Sequence, residues 1–94
     1  MVRDEILITG EYVKMSGKRL EVIETLKPGE VKIPKQIAAD TGILTNHVSK
    51  VLQELKNKEL IVCINEEARK GRLYRLTETG KDVLDTIKRK EEKE

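Results

Sequence analysis

The chain predicts a mainly α fold carrying one small β-hairpin (α+β). Three observations support that reading. Apolar residues recur at helical spacing in four separate stretches, each with a capping or stopping residue nearby. Two short apolar runs stand either side of a polar, glycine-containing turn. Only two aromatics occur in 94 residues, Tyr12 and Tyr74, so the core must be built from Ile, Leu and Val.

The elements follow in order. In MVRDEILITGEYVKM, Ile6 and Ile8 alternate in strand fashion and Gly10 breaks the run, which predicts an extended N-terminal arm over 1–15. SGKRLEVIETLKPGE predicts the first helix, with Ser16 as its cap, Leu20, Ile23 and Leu26 on one face, and Lys27-Pro28-Gly29 as its stop. Val31 to Ile33 reads as a short strand. Pro34 suits the first turn of a second helix, PKQIAADTG, with Ile37 and Ala38 inward and Gly42 as a left-handed stop. A third helix runs over about 45–58, with Thr45 as its expected N-cap. Val48, Val51, Leu52 and Leu55 form its apolar stripe, and Asn46, Lys50, Gln53 and Asn57 fall opposite. Leu60 to Ile64 and RLYRL form the hairpin. Leu73 marks one of its faces, and Arg72 and Tyr74 share the other. Thr77 caps a last helix with Val83, Leu84 and Ile87 on its apolar face, and the charged tail over 91–94 is expected to fray.

Composition removes several function classes. No apolar run approaches the roughly 20 residues needed to span a bilayer, and no secretory signal pattern is visible, so a cytoplasmic protein without a membrane partner is expected. The one cysteine, Cys63, cannot form an internal disulfide and sits in an apolar strand, where it reads as a small hydrophobe. A single histidine and a single cysteine supply neither a catalytic triad nor a zinc site, and the phosphate-loop pattern GxxxxGK[ST] is absent. No enzyme activity, cofactor, metal or small-molecule ligand is therefore expected. Glu66-Glu67 reads as solvated surface.

Charge is more telling in its distribution. Residues 31–76 carry nine basic and five acidic side chains, a net +4, while the segments on either side each carry −1. That excess is compatible with ordinary surface charge and also with a polyanion-binding face. Helix, short glycine turn, helix and hairpin, in that order, make a winged helix-turn-helix, and this favours double-stranded DNA as the partner. On the third helix, Thr45, Asn46, His47, Ser49, Lys50 and Gln53 are candidates to meet base edges or phosphates. Arg69, Lys70 and Arg72 cluster at the hairpin tip, where they can neutralise phosphates or enter a minor groove. Lys35 and Gln36 can touch the backbone from the second helix. A protein-interaction module within a larger nucleic-acid-processing assembly is the alternative, since one fold hosts both uses. So few aromatics leave little with which to anchor a protein partner.

TGILTNHVSKVLQELKNKELI resembles the helix-turn-helix of MarR- and ArsR-type winged-helix regulators, and GRLYRLTETG resembles their second wing strand and its Y-x-L-T-x-x-G exit. The chain is similar above all to small archaeal members of that group. The resemblance covers about residues 16–88 and implies a DNA-binding domain over 16–90, with its recognition helix in the major groove and its wing over 65–72. It also implies a homodimer, for which the last helix and the N-terminal arm are the candidates, on half-sites about one helical turn apart. Leu44 departs from the usual polar residue before the recognition helix. The cysteine pairs of metal-sensing ArsR proteins are missing, so metal sensing is not implied.

Overall fold

The computed structural model describes residues 4–93. Five helices and a two-stranded hairpin follow in the order α1 (Asp4–Lys14), α2 (Gly17–Thr25), α3 (Pro34–Thr41), α4 (Thr45–Asn57), β1 (Ile61–Cys63), β2 (Tyr74–Leu76) and α5 (Glu78–Lys93).

The N-terminal segment differs from expectation. Residues 4–14 are helical, not extended, and residues 1–3 lie outside the described residues. Ile6, Gly10 and Val13 are buried at helical spacing, whereas Ile8, which suggested alternation, is 70% exposed. The reason is tertiary. α1 packs against α5, and a Cβ on Gly10 would stand 3.8 Å from Ile87 Cγ1, so the glycine is a contact point for the last helix. The charged tail also differs, because α5 continues through Lys93; Glu94 lies outside the described residues.

α2 starts where Ser16 Oγ accepts from the Arg19 N–H at 3.3 Å, as expected of a capping serine. Val22, Ile23 and Leu26 are fully buried, while Leu20 only lines the core. Arg19 donates from Nη1 to the Tyr12 carbonyl (3.0 Å) and from Nε to Glu54 (3.3 Å), and its guanidinium stacks 3.9 Å from the Tyr12 ring centroid. One side chain thus ties α1, α2 and α4 together.

The short strand at 31–33 reduces to a single bridge. Lys32 and Tyr74 exchange N–H···O bonds of 3.0 and 2.9 Å along the outer side of β2. Pro34 opens α3 and Gly42, at φ 77°, ends it. α4 buries Val48, Val51, Leu52 and Leu55. Its N-cap is Leu44 and Thr45 is its first helical residue, one position later than a capping threonine would sit.

In the hairpin, Ile61 pairs with Leu76, Val62 with Arg75 and Cys63 with Tyr74. Tyr74 and Leu76 point into the core; Leu73 shares the outer face with Arg75 and is half-buried. Thr77 caps α5 as expected, its Oγ1 accepting from the Gly80 N–H at 3.0 Å and donating to the Glu59 carbonyl at 2.6 Å. The core runs as one cluster from Ile6 and Val13 through α2 and α4 to Val83, Leu84 and Ile87. Those apolar residues of α5 are thus spent within the domain.

Candidate nucleic-acid interface

Burying one stripe of α4 leaves its opposite face in solvent. Asn46, Ser49, Lys50 and Gln53 are exposed there, and Gln53 Nε2 donates to Asn57 Oδ1 at 3.0 Å. Thr45 is exposed in the first turn. Leu44 makes no side-chain cap bond. The first N–H groups of α4 therefore lack a side-chain acceptor from that position, and such a terminus favours an anion.

His47 departs from the outward placement expected of it. It is half-buried on the flank of α4 that faces α2, and Lys18 Nζ donates to its Nδ1 at 3.2 Å. The helical wheel explains this: at about 100° per residue, His47 lies roughly 90° from the centre of the Val48–Leu55 stripe, at its margin.

Lys35 and Gln36 are both exposed in the first turn of α3. Gln36 is already engaged, since its Oε1 accepts from the Ile33 N–H at 3.0 Å, the half of a capping box that does not need a polar side chain at Ile33.

The hairpin loop is held by Asn65, which sequence reading missed. Its Oδ1 accepts from the Leu73 N–H at 2.7 Å, its Nδ2 donates to the Gly71 carbonyl at 3.2 Å, and its own carbonyl accepts from the Ala68 N–H at 2.9 Å. Asparagine directly after a strand is the available signal, because its amide closes turns locally. Arg69, Lys70 and Arg72 are exposed on this loop, and Arg72 Nε donates to the Ala68 carbonyl at 2.8 Å.

α4 and the loop meet. Pro34, Ser49, Gln53, Arg69, Gly71, Arg72 and Tyr74 line a cleft of about 330 Å³. Ser49 and Gln53 are thus brought together with Arg69 and Arg72, while Lys35 and Lys70 stand outside that lining. Glu66 is no mere solvated acid. It pairs with Lys56 of α4, whose ammonium holds the Glu66 carboxyl below its ordinary range and is itself held above its own. That pair pins the loop to the helix. A second tie joins the sheet to α3, where Lys32 Nζ donates to Asp40 Oδ2 at 2.7 Å and to Thr25 Oγ1 at 3.2 Å. The hydrogen bond lowers the Asp40 pKa and raises that of Lys32.

Among the described residues no cluster of three His, Cys, Asp or Glu side chains is placed to hold a metal ion. No helix among them is long and apolar enough to cross a membrane.

The helix pair α3–α4, its left-handed glycine turn and the hairpin that follows define a winged helix. The chain is similar to a solved structure, the transcriptional repressor CouR bound to a 23-mer DNA duplex, with a TM-score of 0.69 and 24% identity. The match covers 92% of this chain and 61% of that chain, so this chain spans about three fifths of that repressor's length. No family model matches the chain, and no curated protein does.

Proposed function

We propose that the chain is a sequence-specific double-stranded DNA-binding transcriptional regulator that acts by binding, without catalysis. One observation carries the reading: the polar face of α4 and the basic loop open onto one shared cleft. A helix about 10–12 Å wide fits a major groove about 12 Å wide. With α4 in that groove, Asn46, Lys50 and Gln53 face base edges, and Thr45 and Ser49 reach bases or phosphates. Arg69, Lys70 and Arg72 follow the backbone or enter the adjacent minor groove, and Lys35 and Gln36 contact phosphates from α3. The likeness to a repressor bound to a DNA duplex supports this, as does the MarR/ArsR-like sequence pattern.

The same reading makes the protein a cytoplasmic homodimer. Its dimer surface is α1 with α5, where Ile8 on α1 and Met15 in the turn after it stand 70% and 81% exposed, while the apolar face of α5 is occupied internally. Selection from a random duplex pool at near-physiological salt tests the proposal. Enrichment of a palindrome is the expected result, and the absence of any enriched motif would refute sequence-specific regulation.

A further inference from the structure

The two flanks of α4 are not equivalent. One flank carries Ser49 and Lys56 and is pinned to the hairpin loop through Glu66. The other, roughly 160° around the helix, carries His47 and Glu54 and meets α2 through Lys18 and Arg19. Between α2 and this second flank lies a cleft of about 230 Å³, lined among others by Ser16, Lys18, His47 and Lys50. Its acid, Glu54, is neutralised by Arg19, so the cleft keeps the positive charges of Lys18 and Lys50.

We infer that this α2–α4 cleft is a DNA backbone-phosphate clamp, formed by Lys18 and His47 on the side of the recognition helix away from the wing. The inference rests on the DNA-binding reading above. A helix lying in the major groove has a phosphate strand on each side. The wing serves one strand, and the sequence pattern gave Lys18 of α2 no part in holding the other. Chemistry supplies the rest. A lysine ammonium only donates, so Nδ1 of His47 must be the acceptor and the neutral ring carries its proton on Nε2. The His47 ring thereby positions the Lys18 ammonium at the cleft and offers its own Nε2–H as a second donor. His47 is the third residue of α4, so this pair stands at the N-terminal end of the helix, the end that enters a groove. Lys50, one turn further on, closes the cleft on the groove side.

The test measures binding of the full chain to a labelled random-sequence duplex by fluorescence anisotropy between about 50 and 200 mM salt. Random sequence reports phosphate contacts and leaves base reading out. Lys18→Ala is expected to lower the slope of log affinity against log salt by about 1 per chain, near the value for one released phosphate contact. Lys18→Arg should keep the slope. So should Lys27→Ala, an exposed lysine beyond the opposite end of α2. His47→Ala should weaken random and selected duplexes by the same factor; a loss confined to the selected duplex would return His47 to base reading and overturn its part in the clamp. An unchanged slope in Lys18→Ala, an equal drop in Lys27→Ala, or a drop in Lys18→Arg as large as that in Lys18→Ala overturns the clamp while leaving the DNA-binding reading intact. Failure of the unmodified chain to bind any duplex overturns both readings.

Discussion

Gly80 sits in the first turn of α5 with the turn before β1 pressed against it. A Cβ at this position would stand 2.0 Å from the Leu60 carbonyl oxygen and 3.1 Å from Leu76 Cδ2. A carbon and a carbonyl oxygen approach to about 3.3 Å at closest. Gly80→Ala must therefore push the start of α5 away from Leu60 by about 1 Å. Two hydrogen bonds hold that junction, from the Thr77 N–H to the Leu60 carbonyl at 3.0 Å and from Thr77 Oγ1 to the Glu59 carbonyl at 2.6 Å. Losing both costs about 1–3 kcal/mol, and the overpacking against Leu76 adds about 1–3 kcal/mol. The better helix propensity of alanine returns about 1 kcal/mol. The expected destabilisation is about 3 kcal/mol, a fall in Tm of roughly 12–24 °C for a chain of this size. Thermal melting by circular dichroism measures it, and urea titration should show a lower midpoint with an unchanged slope. A variant that melts within about 4 °C of the parent would show that α5 does not dock on Leu60 in this way.

Replacing Lys50 and Gln53 together with Ala should weaken a selected duplex by about 1–3 kcal/mol per base pair read and a random duplex much less; equal losses on the two would remove these side chains from base reading. Replacing Arg69, Lys70 and Arg72 with Ala should lower the salt slope by about 3, and an unchanged slope would take the loop off the DNA. The Asp40 carboxyl is held below its ordinary pKa by Lys32, so its stabilising contribution is complete above the unfolded carboxylate range and is lost as pH falls through the folded value. Asp40→Asn should flatten the acid side of the stability–pH curve below about pH 4 relative to the parent, with unfolding followed by circular dichroism. A parallel curve would show that the pair does not couple α3 to the sheet.

The α4 stripe of Val48, Val51, Leu52 and Leu55 was legible because burial follows the helical period directly. The caps at Ser16 and Thr77 and the stop at Gly42 were legible because they act within three or four residues of chain. The exposed face bearing Asn46, Ser49, Lys50 and Gln53 follows from the same stripe. α1 was not legible in the same way. Its alternation of Ile6 and Ile8 and its Gly10 satisfy a strand pattern locally, and only the presence of α5 selects the helical face of Ile6, Gly10 and Val13.

The sequence alone therefore determines the order of elements from α2 onward, the core stripe of each helix and the local concentration of basic charge, since all three depend on neighbours along the chain. Tertiary structure alone decides which polar residues come together. Lys18 and His47 are 29 residues apart, and Lys56 and Glu66 belong to different elements, yet each pair meets across a packed interface. No periodicity encodes those meetings. They arise because burying the α4 stripe against α2 on one side and the hairpin on the other leaves its polar margins in contact with whatever those neighbours carry.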